Sequence, residues 1–360
     1  MSPRNPRPRI ISTSALARHL GLSRWTISRV LNGHAEVKAE TCQRVRAAIE
    51  QLGFVPSALG RALRGGRTGM VGICFQALGS PIVSHKIATL QRILRGAGYR
   101  APCELTDGNP ELELEVVRHF LAIKVDGLVL VGGMTEANAS AIVALVRAQH
   151  VPTVLVDPLQ RYPLPTVELD REAAMHMALQ HLLEKGHRRF ALFGVDESVP
   201  YGRNRWRGIR RFAADHRLAL EDHFTTLAEP GASALDFAYG NQLAERFLAL
   251  PSGNRPTAVV ALNDQIAIGA MSRLQQGGLA VPGDVSVLGF DNLDMSAHVT
   301  PLLTTVDQHV EPMMKTAVEL LAADVAQPGV GEAPLRVISP LLVTRESTGL
   351  APVTVLRDQR

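Results

Sequence analysis

The stretch RWTISRVLN at residues 24–32 sorts its side chains onto two sides of a short helix. Ile27, Val30 and Leu31 stand at i, i+3 and i+4, the spacing of a face that seeks a core. Arg24, Trp25, Ser28, Arg29 and Asn32 then share the opposite, exposed face. No core requires two arginines and a tryptophan there. Arginine pairs bidentately with guanine edges in a major groove, while hydroxyls and amides hold phosphates. The residues just before supply a turn that would present such a face. Ala17, Gly21 and Ile27 are spaced four and then six apart: a small residue for close helix approach, a glycine for the turn, and an aliphatic to seat the second helix. This spacing predicts a helix-turn-helix; its plain alternative is a helical hairpin with a solvated face.

Other chemistries find little support. There is no GxGxxG, GxxxxGK(S/T), GxSxG or HExxH motif. The twelve histidines are scattered, and His181 and His187 lack a third partner at metal-binding spacing. Cys42, Cys74 and Cys103 form no CxxC pair and read as buried thiols. The expectation is a protein with no catalytic residues, no metal and no cofactor.

The elements that position the exposed face follow from local signals. Residues 14–20 form a first helix broken by Gly21, Ser23 caps a second over 24–31, and a third runs from about 39 to 52. Residues 57–64 have room for two further turns, ended by Gly65 and Gly66. From Met70 the texture changes. Apolar runs at 71–75, 127–131, 153–156, 190–193, 258–261 and 286–290 alternate with amphipathic stretches at 87–98, 111–123, 173–185, 264–276 and 311–325. Strands apolar throughout and separated by helices imply parallel sheets covered on both faces. Two lobes are expected: one over about 70–160 with a crossover near 293–325, the other over about 165–290 plus 330–348. Two open α/β sheets facing each other leave a ligand cleft at the carboxyl ends of their strands.

Charge agrees with this division. The chain has 360 residues, 46% of them hydrophobic and 20% charged, an ordinary globular balance. Residues 1–66 carry eleven Lys and Arg against three acids, a net +8, so the overall +4 leaves −4 for the remainder. A basic head on a mildly acidic body is the footprint of a polyanion binder. No apolar run reaches the roughly 18 residues that span a bilayer, and the opening MSPRNPRPR is no signal peptide. The expected compartment is the cytoplasm, with no membrane partner.

TISRVLN at 26–32 and VRAAIEQLGFVPS at 45–57 closely resemble the lactose/galactose repressor (LacI–GalR) family. The resemblance continues in family order through GHRR at 186–189, Asn263-Asp264, VPGDVSVLGFD at 281–291, LTTV at 303–306 and REST at 345–348. It implies a flexible basic arm over 1–11, an all-α helix-turn-helix domain over 12–56, a hinge helix and linker over 57–66, a two-lobed sensor like type I periplasmic binding proteins over 67–350, and a tail over 351–360. The implied function is a sequence-specific DNA-binding regulator, most often a repressor, controlled by a small molecule in the interlobe cleft. By resemblance Arg24, Trp25 and Arg29 choose operator bases, while Ser12, Ser23, Thr26, Ser28, Asn32 and Phe54 position the backbone. Residues 57–64 match the hinge helix, too short to persist alone in water. Within it Ser57 and Gly60 count among the DNA-contacting positions, and Leu63 matches a leucine that wedges into a minor-groove step and kinks the duplex. Gly60 replaces the usual alanine, at about 1 kcal/mol of helix propensity, so a looser hinge is expected. Leu63→Ala should lose most operator affinity while the sensor stays folded; unchanged binding in an anisotropy titration would remove the wedge role.

For the sensor, the resemblance places Arg205 and Asp291 on the effector, with Asn263 and Gln308 as further polar contacts. Asp157 and Asp170 also lie at strand ends, where the alternatives are capping or an interlobe salt bridge. Where the family often reads Asn-Pro-Phe, this chain has Ser80-Pro81-Ile82, so Ser80 sits at the first-lobe contact without an aromatic platform; Phe75 and Phe237 are the candidate substitutes. A sugar or sugar acid leads as effector and a nucleobase or nucleoside follows. A two-fold operator requires two heads, hence a homodimer, and the tail is too short for the family's tetramerising heptads. A DNA-binding protein whose pocket has lost its ligand is the alternative of the same fold. An enzyme or a free-standing solute-binding protein is disfavoured by the missing motifs and the basic head.

Overall fold

The computed structural model describes residues 12–31, 36–54, 67–77, 79–158, 160–230, 235–326 and 333–352, in two compact units that divide after Gly69. The first unit is helical: α1 Thr13–Leu20, α2 Arg24–Leu31 and α3 Ala39–Leu52. Ser12 caps α1 by accepting from the Ala15 amide at 3.1 Å, and Gly21 ends it at φ 63°. That left-handed turn favours glycine and swings the chain into α2. Ser23 starts α2 by accepting from the Thr26 amide at 3.0 Å. Leu16, Ala17, Leu20, Ile27, Val30, Val45, Ala48 and Phe54 close the core beneath, with Leu31 packed on its margin. A bond from Arg44 to the Leu20 carbonyl ties α3 to the end of α1.

Among the described residues the second unit holds twelve strands in two sheets. In chain order its elements are β1 Val71–Phe75, α4 Pro81–Gly96, β2 Cys103–Leu105, α5 Pro110–Ala122, β3 Gly127–Val131, α6 Ala139–Ala148, β4 Thr153–Val156, β5 Thr166–Leu169, α7 Arg171–Glu184, β6 Phe190–Phe193, α8 Pro200–Asp215 and the single turn α9 Leu220–His223. There follow β7 Phe224–Leu227, α10 Phe237–Leu248, β8 Ala258–Ala261, α11 Asp264–Gln276, β9 Ser286–Asp291, β10 Thr304–Asp307, α12 Val310–Ala326, β11 Leu335–Ile338 and β12 Leu341–Val343. One sheet has the order β11-β5-β4-β3-β1-β2, the other β12-β10-β9-β8-β6-β7. Every pairing is parallel except β10 with β12.

The central strands are buried on both faces, which is why they read as unbroken apolar runs. In β1, Val71, Ile73 and Phe75 join the core that holds Leu90 and Leu94 of α4, while Cys74 joins the one holding Val117 and Phe120 of α5. In the second sheet's layers α7 packs on α8, and α10 on α11. The last pair is unusually close. A Cβ at Gly269 would lie 2.1 Å from the Phe237 carbonyl oxygen, and one at Gly240 2.2 Å from that of Ile266. Alanine would gain about 1 kcal/mol of helix propensity, but overlap with rigid backbone costs more. We expect Gly269→Ala to destabilise the unit by roughly 1–3 kcal/mol in urea unfolding.

The sheets divide the chain differently from the expected lobe limits. Thr166–Leu169 and Leu335–Ile338 belong to the first sheet, and Thr304–Asp307 to the second. Hydrophobic periodicity marks a strand without saying which sheet it joins, and these three border the points where the chain changes lobe. It crosses between Leu169 and Arg171, between Asp307 and Val310, and between Ile338 and Leu341.

Candidate functional site: an exposed reading helix and a buried charged cluster

On α2 the apolar half is turned inward, with Ile27 fully buried and Val30 nearly so. Arg24 and Trp25 are exposed, Trp25 at 65%. The Arg29 guanidinium lies 4.4 Å from the centre of the Trp25 ring and pairs with Glu36, a residue that no sequence signal singles out. The side chains one turn apart therefore form a stacked unit rather than two independent contacts. Ser28 and Thr26 are half-exposed, and Thr26 shares a 2.8 Å hydroxyl bond with Ser23. Ser12 and Ser23 serve as helix caps. Phe54 is 5% exposed inside the head's core, and its amide donates to the Ile49 carbonyl at 3.0 Å. Asn32, Ser57, Gly60 and Leu63 lie outside the described residues.

In the second unit the strand ends converge. Asp157 follows β4 with φ 54°, and Asp291 ends β9 at φ 112° with Asn292 at φ 52°. Positive φ at non-glycine residues is costly and persists where the surroundings over-determine it. Asp157 is 5% exposed and fully engaged. Arg171 grips it in a fork, Nη1 to Oδ1 at 2.7 Å and Nη2 to Oδ2 at 2.6 Å. Lys86 donates to Oδ2 at 2.5 Å, and the Leu169 amide to Oδ1 at 3.2 Å. Burial pushes this carboxyl toward its neutral form, but the Arg171 and Lys86 charges more than reverse that and hold it well below the usual carboxylate range. The sequence reading missed Lys86 and Arg171. A lysine inside an otherwise apolar helical face, 4% exposed, was the available signal.

Asp291 sits beside this group. Gln308 Nε2 donates to its Oδ1 at 2.5 Å, and burial pushes its pKa up to about 6, moderated by Arg205, that hydrogen bond, Lys86 and Arg171. Arg205, 5% exposed, stacks 4.5 Å from the centre of the fully buried Phe290 ring and donates to the Leu262 carbonyl at 3.5 Å. Behind Asp291, the Asp264 carboxyl accepts from Thr305 Oγ1 at 2.5 Å and from the Leu293 amide at 2.7 Å; burial and the Asp291 charge push it up to about 8.

The structure thus brings together Asp157, Arg205, Asp291 and Gln308. Asn263 caps α11, accepting from the Ile266 amide at 2.8 Å and donating to the Leu235 carbonyl at 2.8 Å. Asp170 caps α7 by accepting from the Ala173 amide at 2.8 Å. Ser80 stands at the N-cap of α4 without a side-chain cap bond. Of the two candidate aromatic platforms, Phe75 is 6% exposed in the core, and Phe237 lines a groove between α10 and α11 with Asn241, Ile268 and Ser272. The aromatic face in the cluster belongs to Phe290, and Arg205 covers it.

Asp264 and Asp291 bind protons more tightly in the folded chain than in the unfolded one. The stability they contribute is present below about pH 4, the ordinary Asp value, and is lost as pH rises through about 6 for Asp291 and about 8 for Asp264. Urea midpoints should therefore fall between pH 5 and pH 8, and Asp264→Asn should flatten the upper half of that decline. A midpoint rising over this range in the wild type would contradict the assignment.

Comparison with known proteins matches residues 15–57 to the lacI family of bacterial regulatory proteins and residues 179–348 to the periplasmic binding protein-like domain. The chain is 29% identical over 307 residues to the HTH-type transcriptional repressor PurR of Aliivibrio fischeri strain MJ11, covering 85% of this chain and 89% of that protein. The Lac repressor dimer bound to operator and the anti-inducer ONPF superposes with TM-score 0.81 at 25% identity, over 94% of this chain and 99% of that one. A LacI-family structure from Sanguibacter keddieii DSM 10542 superposes with TM-score 0.65 at 30% identity, over 79% and 100%. With the helix-turn-helix, the two parallel sheets and these matches in hand, the chain belongs to the LacI family of bacterial transcription regulators.

Proposed function

We propose that this protein is a homodimeric, DNA-binding transcriptional repressor whose operator affinity is set by a small molecule, a sugar or sugar derivative, held in the sensor unit. The observation that carries this reading is the pairing of two features in one chain. One is a short helix that buries Ile27 and Val30 while exposing Arg24 and Trp25, with Arg29 half-buried beside them; the other is a buried polar cluster where the strands of two sheets end. Arg24, Trp25 and Arg29 would read bases, with Ser28 and Thr26 against phosphates. Arg205, Asp291 and Gln308 would hold the effector, and Asn263 and Asp170 would shape the rim from their caps. Residues 57–66 would serve as hinge, coupling the sites through differential affinity of two states. The family match supports a regulator acting in the cytoplasm without catalysis of its own. Among the described residues no helix is long and apolar enough to cross a membrane.

Fluorescence anisotropy with the protein's own upstream DNA at fixed salt, with and without a panel of sugars and nucleosides, tests the proposal. A specific complex that one ligand dissolves is the expected result and identifies an inducer; a complex formed only with ligand identifies a corepressor. No specific complex under any condition would overturn the reading.

A further inference from the structure

The effector cluster carries more positive than negative charge, and it keeps two polar atoms in reserve. Lys86, Arg171 and Arg205 supply three cations, each at least nearly buried. Asp157 and Asp291 supply two carboxylates, while Asp264 behind them is kept protonated at neutral pH by its burial and the Asp291 charge. Asp157 already answers both Lys86 and Arg171, leaving Asp291 opposite Arg205. The next acids are spoken for: Glu168 pairs with Arg161, and Asp170 faces the amino end of α7. A surplus buried cation is costly unless an anion joins it. Among the described residues, Nε of Arg171, a donor, and Oε1 of Gln308, an acceptor on a residue 3% exposed, also lack a hydrogen-bond partner. Buried polar groups are nearly always satisfied. A ligand that satisfied both would offer an acceptor to the arginine and a hydroxyl to the glutamine.

We propose that the effector is a singly charged polyhydroxylated carboxylate, such as an aldonate or a uronate, with its carboxylate taken up among Lys86, Arg171 and Arg205 and a hydroxyl donated to Gln308 Oε1. This rests on the sensor reading above and narrows it. A neutral sugar would satisfy the hydroxyl partner and leave the surplus charge unanswered. A doubly charged phosphate ester would overshoot a surplus of one. A purine would bring flat stacking surface to a cluster whose aromatic face, Phe290, is already covered by Arg205.

Isothermal titration of the full-length protein with charge-matched pairs tests the idea: D-gluconate against D-glucitol, D-glucuronate against D-glucose, and D-galacturonate against D-galactose, with D-glucose 6-phosphate as a separate arm. At least one acid should bind, with its neutral mate about 100-fold weaker or more, the scale of removing one partner from a buried charge pair. Lys86→Gln, which leaves Asp157 in the Arg171 fork, should narrow that gap at least tenfold; if that variant melts, Gln308→Leu should weaken the acid and its mate alike while the gap persists. Neutral sugars or nucleobases binding as well as the acids, or the phosphate ester alone binding, would overturn this proposal and leave the sensor reading intact. Failure of every compound, together with operator binding that no metabolite alters, would overturn both.

Discussion

Asp157→Ala is expected to destabilise the sensor unit by about 3–5 kcal/mol, the usual penalty for breaking a buried ion pair from one side. The reason lies in what remains. Lys86 and Arg171 would stay buried, at 5% and 11% side-chain exposure, with their common carboxylate gone. The Leu169 amide would lose its acceptor as well. Asp157→Asn tests the charge at nearly constant shape and should recover only part of the loss, since an amide cannot answer two cations. Lys86→Met should cost less than Asp157→Ala because the bidentate Arg171 contact survives. Urea unfolding of the three variants at pH 7 orders them, and equal losses would mean that packing rather than charge dominates. Acid offers an independent check. Asp157 holds its proton less tightly in the folded chain than in the unfolded one, so its contribution is present above about pH 4 and is lost as pH falls below that. Asp157→Asn should therefore remove part of the wild type's acid sensitivity below pH 4, and the decline between pH 5 and 8 assigned to Asp264 and Asp291 should persist in it.

The legible parts of this molecule were those where one chain segment decides its own fate. Helix α2 has the predicted limits of 24–31, because Ser23 supplies a cap and the apolar spacing leaves one choice of inner face. The central strands stood out because burial on both sides removes polar alternation. What depends on distant partners was harder to read. Residues 166–169 look the same whether they join the first sheet or the second; their pairing with β4 and β11 decides it. Asn263 and Asp170 occupy positions that suit both ligand contact and capping, and cap bonds occupy both in this structure. Lys86 and Arg171 gain their meaning from Asp157, 71 and 14 residues away; a lysine set in an apolar helical face was the one local hint, and Arg171 had none. Glu36 likewise becomes notable only when the chain folds back onto Arg29.

Arg29→Ala is expected to weaken operator binding by about 1–3 kcal/mol, roughly 5- to 150-fold, the range for losing one bidentate base contact. It should also relax the preference at one base pair in each half-site. The neighbours that hold Arg29 should matter less, and in a definite order. The Trp25 ring stacks under the guanidinium at an exposed site, where such contacts contribute about 0.5–1 kcal/mol, so Trp25→Ala should cost a few-fold unless the ring also meets a thymine methyl. Glu36 must release the guanidinium before a base can take it. Exposed ion pairs contribute at most about 1 kcal/mol, so Glu36→Gln should tighten binding by a small factor. The salt dependence separates base reading from phosphate holding. If Arg29 reads a base, its removal lowers affinity while the slope of log affinity against log salt changes little. If it holds a phosphate, the slope falls by about 1 and all sequences weaken alike. Anisotropy titrations at several salt concentrations, on the upstream site and on a scrambled duplex, distinguish the two. A guanidinium pre-stacked on an exposed indole arrives at the groove with little side-chain freedom left to lose, which favours the rigid, bidentate contact over a roaming phosphate one.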